Sequence, residues 1–306
     1  MGASHKKISR NGGSNATYLL DSTNIKELRQ AKEINEKKLR FSWAHYSDLA
    51  SQRHVVYSEL QNTIIANCTS FNFSKWQRAV KYKYALHPLC TIGSYQFTGG
   101  RFNYGNSINT ELSAFPALYI AQDKDTAIQE HLGQEPISNG SKLTPRDLAL
   151  TATDSEALVS VSGQIEKVFD LTNKNNLNSF VDLIKQFKPS NHLIQMAREA
   201  KMGKMPLIIK SVAKLLDSLL DPHWRSAPDN YDIPSNSQIF GHMCYTASIE
   251  GILYPSKFTK KHCLVVFPNN FPNTSSFVTL DGELPPHGNI PTRIDEHSYK
   301  LCEIND

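Results

Sequence analysis

The chain has 306 residues, 40% hydrophobic and 20% charged, enough for one large or two small domains with a buried core. No run of about 18 apolar residues is present, and the opening residues lack the apolar stretch of a secretory signal, so the expectation is a cytoplasmic protein that does not cross a membrane, at least where it is made. The net charge of +4 is concentrated at one end: residues 1–53 hold ten Lys/Arg against five Asp/Glu, a diffuse excess that reads as a solvated helix face and argues against nucleic acid.

Residues 1–15 are polar and Gly/Ser-rich and are expected to be disordered. From about Asn24 a helical pattern begins, with Ser22 or Thr23 as its cap, and a second helical run precedes the aromatic stretch FNFSKWQ. Residues 16–75 are read as a helical N-terminal extension. A main body follows over residues 76–272. In it, Ala117–Ala121 is an apolar strand that leads through the acidic Asp123-Lys124-Asp125 into a helix from Thr126 to Leu132, closed by Gly133. Residues 135–163 are read as loop on account of Pro136, Gly140 and Pro145, with a strand at Glu166–Leu171.

Residues 176–220 carry Leu, Ile and Val at three- and four-residue spacing, the pattern of a helical insertion. After a turn at Asp221–Arg225 come a helix around Gln238–Ala247, a strand over Gly251–Ser256 and a buried strand in HCLVVFP. Residues 273–306 form a C-terminal tail. Strands that are few, short and scattered among helices predict α+β rather than a regular βαβ array. No GxGxxG or Walker run is present, which disfavours the Rossmann and P-loop folds. Five cysteines without a Cys-x-x-Cys pair, and eleven histidines without His-x-x-x-His, indicate neither a metal site nor a disulfide framework.

Four residues stand out chemically. Arg101 follows Gly99-Gly100, where bare backbone can approach a ligand and the guanidinium offers a planar fork for phosphate. Tyr119 alternates with Leu118 and Ile120, so it faces the opposite way and can stack on a flat heterocycle. Glu130 lies on the next helix, one turn beyond the small Ala127. Ser256 ends a strand outside any Gly-x-Ser-x-Gly elbow, so it is not read as a nucleophile but as a hydrogen-bond donor to phosphate or ribose.

The blocks GGRFNYGN, ALYIAQDKDTAIQEHLG, DPHWR and GILYPS followed by HCLVVFP occur in the order found in the RES domain, which residues 85–270 resemble. Phe102 stands where that family usually has tryptophan, and the helices at 176–220 lengthen the stretch before the Pro-Ser strand. The resemblance implies an ADP-ribosyltransferase-like core and a toxin or effector that degrades NAD as a substrate, without a cofactor. It assigns catalysis to Glu130, Arg101 and Tyr119, and nucleotide contacts to Arg101, Tyr119, Ser256, Gly100 and Asn103. The implied reaction is NAD glycohydrolysis or phosphorolysis, with water or inorganic phosphate as acceptor. Other readings are mono-ADP-ribosylation of a macromolecule and a non-catalytic nucleotide-binding module. A toxin of this kind implies an antitoxin or immunity protein as partner, and delivery into a target cell is compatible with it.

Overall fold

The computed structural model describes residues 25–108, 113–132, 156–202, 207–282 and 291–300. The stretches expected to be disordered at 1–15 and loop-like at 135–155 lie outside the described residues. The chain is α+β: helices surround a mixed sheet in which the described strands are ordered β1-β4-β7-β6-β5-β8-β9. These strands are β1 (Cys68–Lys81), β4 (Leu118–Ala121), β5 (Glu156–Asp170), β6 (Gly251–Pro255), β7 (His262–Val266), β8 (Phe277–Leu280) and β9 (Arg293–Ile294). A separate two-residue hairpin joins β2 (Gly99–Gly100) to β3 (Asn103–Tyr104). Among the described residues no helix is long and apolar enough to cross a membrane.

Two strands depart from the sequence expectation. Residues 68–75, expected within the helical extension, open the 14-residue β1, and residues 156–163, expected as loop, open the 15-residue β5. The two run antiparallel from Cys68↔Phe169 to Lys81↔Glu156, with irregularities at Thr69/Phe71 and Phe73/Trp76. Beyond the second irregularity Trp76, Arg78 and Val80 alternate inward. Long-range pairing, which no local pattern reveals, is what makes these segments strands. Because β1 also meets β4 at Gln77↔Ala121, the sheet closes on itself through β1, β4, β7, β6 and β5.

Alternation along β4 and β7 divides the core. Leu118, Ile120, Leu264 and Val266 join Trp76 and Ile165 on one face of the sheet, while Ala121, Cys263 and Val265 join Phe102, Phe169 and Phe240 on the other. The second face is covered by the helices expected from the periodicity of 176–220, with Phe180, Val181, Leu215 and Leu219 buried against it. Helix α1 (Ile25–Val55) packs Phe41 against Leu193 and Ala197 in a satellite cluster.

Candidate active site

The Gly-Gly-Arg run forms the tip of the β2–β3 hairpin, and its shape is dictated by close approaches. Gly99 sits at φ +84°, where a side chain is strained. A Cβ on Gly100 would lie 2.3 Å from the Tyr119 hydroxyl and 2.6 Å from Asn103 Oδ1. The helix Asn236–Thr246 supplies a mould: a Cβ on Gly241 would meet the Phe102 carbonyl oxygen at 1.9 Å, so only glycine lets helix and hairpin touch.

Gln238 of the same helix is fully buried, and its Nε2 donates to the carbonyls of Thr98 (2.7 Å), Gly100 (3.1 Å) and Asn103 (3.1 Å). Its Oε1 accepts from the backbone N–H of Ser235 at 3.0 Å, completing a capping box. Sequence reasoning missed Gln238, although Ser235-x-x-Gln238 is the signature of that cap.

This mould delivers Arg101 to a buried position, 6% exposed, where Nη1 donates to the Asp221 carbonyl at 2.7 Å and Nη2 lies 3.7 Å from Glu130 Oε2. Glu130 is carried by the helix Lys124–Leu132, which starts where Asp123 accepts from the Thr126 N–H at 2.9 Å. Ala127, one turn earlier, is buried beside it. Glu130 Oε1 is buried and has no hydrogen-bond partner. A carboxylate oxygen shielded from bulk water and unpaired is costly unless something arrives to bond it.

Tyr119 lines the same cavity, facing away from Leu118 and Ile120 as its alternation predicts. Its hydroxyl accepts from Phe102 N–H (2.9 Å) and donates to Asn103 Oδ1 (2.7 Å). Burial, more than any neighbour, pushes its phenol well above the ordinary value, so the hydroxyl stays neutral. What Tyr119 offers to a ligand is the ring; the hydroxyl is committed to the hairpin.

The cavity measures about 320 Å³, within the range of small-molecule sites. Gly100, Arg101, Tyr119 and Glu130 all line it, so sequence positions spread over thirty residues converge on one space. It also exposes residues that sequence reasoning did not assign. Arg225 stacks over the Trp224 ring at 4.6 Å and is close enough to Arg101, Tyr119 and Glu130 to interact with each. Arg78 is held in place by the carbonyls of Pro88, Cys90 and Tyr119. His131 meets Glu156 at 3.2 Å, yet burial and the cations Arg78, Lys81 and Arg225 push its imidazole down to about 4, and burial pushes Glu156 up. Both shifts work against an ion pair, and the imidazole is neutral near pH 7.

Two expected ligand contacts are not brought to the cavity. Asn103 is fully buried, with Oδ1 accepting from Gly100 N–H and Tyr119, and Nδ2 donating to the Ser94 and Phe115 carbonyls. It shapes the hairpin from behind. Ser256 is 1% exposed, does not line the cavity, and its Oγ accepts from the N–H groups of Phe258 (3.1 Å) and Thr259 (3.3 Å). The hydroxyl caps the β6–β7 turn, a local bond that strand-end serines favour.

Fold and site together define an α+β protein with a cation-lined cavity in which one carboxylate oxygen awaits a partner. Residues 75–288 match the RES domain, and the chain belongs to that family. One similar solved structure is a chain of the M. tuberculosis MbcT–MbcA toxin–antitoxin complex, 16% identical, with 79% of this chain and 96% of that chain covered and a TM-score of 0.40. No curated protein matches the chain.

Proposed function

We propose that this protein is a toxin or effector that degrades NAD, cleaving the bond between nicotinamide and ribose and passing the ADP-ribosyl group to water or inorganic phosphate. The observation that carries the reading is the buried, unpartnered Glu130 Oε1 beside Arg101 in a cavity with further cations around it. Cleavage sends the bonding electron pair to the pyridinium nitrogen, which leaves as neutral nicotinamide. Positive charge then grows on the ribose in an oxocarbenium-like transition state. Glu130 accepts a hydrogen bond from a ribose hydroxyl through Oε1, and its charge stabilises that growing cation. Arg101 and Arg225 neutralise the pyrophosphate, and the Tyr119 ring positions the nicotinamide riboside. When water is the acceptor, its oxygen bonds the ribose carbon and a proton is released, giving ADP-ribose. With phosphate the product is the 1″-phosphate of ADP-ribose.

NAD is consumed as substrate, and no other cofactor is required by this scheme. A cell that makes such an enzyme needs protection from it, so an antitoxin or immunity protein is the partner the reading calls for. The test is NAD consumption by the purified chain with and without phosphate, with products identified by mass spectrometry. Free nicotinamide with ADP-ribose or its phosphate adduct supports the reading and names the acceptor. Intact NAD in both conditions, from folded protein, overturns it in favour of a nucleotide-binding module. Label transferred from NAD to a macromolecule would move the assignment to an ADP-ribosyltransferase.

A further inference from the structure

Phe97 stands apart from the rest of the cavity wall. Its side chain is 74% exposed, and among the described residues it is the one large exposed apolar side chain that also lines the cavity. Its backbone is at φ +56°, a conformation that bulky residues rarely adopt. The surrounding structure holds it there: the Phe97 carbonyl accepts from Ser107 N–H at 2.9 Å, and a Cβ on Gly105 would strike that same oxygen at 2.1 Å. Gly99 N–H closes the turn onto the Gln96 carbonyl at 3.1 Å. An apolar ring placed in water by a strained backbone is unfavourable on both counts, and such a residue is retained where the strain serves a site.

The position within the cavity says what the ring meets. Glu130, which must sit at the reacting ribose, is 14% exposed and lies deep against Arg101. The half of NAD that is cleaved therefore occupies the inner end. A cavity of about 320 Å³, at the low end of the range for small-molecule sites, encloses one nucleoside and leaves the remainder of a dinucleotide at its mouth. Arg225, an exposed guanidinium on the cavity wall within electrostatic reach of Arg101 and Glu130, is a cation available to the phosphates. Beyond the phosphates the adenosine of NAD remains, a ribose and its adenine, and the exposed lining group fit to meet the flat base is the Phe97 ring.

We propose that Phe97 is the platform on which the adenine of NAD stacks, so that it sets affinity for the dinucleotide over its nicotinamide half. This rests on the proposed NAD-cleaving reading and adds the residue that recognises the uncleaved end. Stacking holds the substrate equally before and during the reaction, so Phe97 acts on KM and not on kcat.

The experiment compares the full-length wild type with Phe97→Ala and Phe97→Trp. It measures kcat and KM for NAD, and the competition of AMP and of nicotinamide mononucleotide against NAD. Loss of one base stack raises KM for NAD about five- to a hundredfold, with kcat within about twofold. In Phe97→Ala, competition by AMP weakens while competition by nicotinamide mononucleotide stays as in wild type, and Phe97→Trp restores KM. The side chain is exposed and alanine keeps the same backbone demand, so the variant folds as wild type does. If wild type consumes NAD but Phe97→Ala has an unchanged KM, or both fragments weaken equally, the platform is refuted. If wild type leaves NAD intact, it is the underlying reaction that fails.

Discussion

Replacing Glu130 by glutamine isolates the charge on which the proposed chemistry depends. The side chain keeps its length and shape, and Oε1 has no partner to lose. What disappears is one negative charge next to the ribose. At about 4 Å and an effective dielectric of about 20, two unit charges interact by about 4 kcal/mol. At 1.36 kcal/mol per tenfold change in rate, that is about a thousandfold in kcat. KM shifts much less, because the attraction is full only when the ribose carries positive charge. Stability changes by about 1–3 kcal/mol at most, since the Arg101 contact is long, 3.7 Å, and Arg101 keeps its bond to the Asp221 carbonyl. The assay is the initial rate of nicotinamide release, with a thermal melt on the same preparation. A folded Glu130→Gln protein that retains more than about a tenth of the wild-type kcat would refute the argument.

Three further outcomes follow from the same geometry. Gly100→Ala pushes a methyl to 2.3 Å from the Tyr119 hydroxyl; it should cost about 1–3 kcal/mol of stability and lower kcat/KM about tenfold or more, and a variant with wild-type melting and kinetics would contradict the packed hairpin. Ser256→Ala removes a turn cap outside the cavity, so a loss of about 1 kcal/mol with unchanged KM for NAD is expected, whereas a raised KM would put the hydroxyl on the substrate. Burial pushes the imidazoles of His242 and His131 down to about 4, with nearby cations adding to the shift at His131. In the unfolded chain they titrate near 6.5, so between about 6.5 and about 4 the unfolded state binds protons that the fold excludes. Stability is therefore steady above that window and falls as pH drops through it. Melts from pH 8 to pH 4 should show this, and His242→Phe, which keeps the stack on Tyr104, should flatten the slope; an unaltered slope would exclude His242 as a source.

Elements set by local pattern were legible in the sequence. The helix bearing Glu130, the strand bearing Tyr119 and the buried strand at Cys263–Val266 lie where periodicity placed them. The helices at 178–184, 191–199 and 212–219 were likewise written in their three- and four-residue spacing. Strand β1 and the first part of β5 were not, because their partners lie about a hundred residues apart at the far end of the ladder, Cys68 with Phe169; the last part of β5 falls in the strand expected at Glu166–Leu171. The same limit divided the site. Arg101, Tyr119 and Glu130 do share a cavity. Ser256 and Asn103 have chemistry suited to a ligand but spend it inside the fold, Ser256 on backbone N–H groups and Asn103 on backbone groups and the Tyr119 hydroxyl, which only the turn geometry reveals. Gln238 was missed: the Ser235-x-x-Gln238 spacing carries its place in the helix cap, but nothing local marks it as the donor that shapes the Arg101 hairpin from 135 or more residues away.

The helices after β5 also bear on the chemistry. Leu215, Leu219 and Leu220 are buried in the same apolar cluster as Phe102, so the helix Val212–Leu219 is seated on the core face that also receives the hairpin. Asp221, immediately after the C-cap Leu220, gives its carbonyl to Arg101, and three and four residues further on the turn places Trp224 and Arg225 on the cavity wall. Arg101 is thus fixed from two directions: Gln238 sets the backbone of its hairpin, and Asp221 holds its guanidinium. The Asp221 bond occupies one face of the fork and leaves Nη2 turned toward Glu130. On the proposed NAD-cleaving reading, that division suits an arginine that binds phosphate while Glu130 acts on the ribose, since a tight bidentate pair with Glu130 would consume both charges. The long segment between the glutamate helix and the Pro-Ser strand supplies the carbonyl that shares the guanidinium with Glu130.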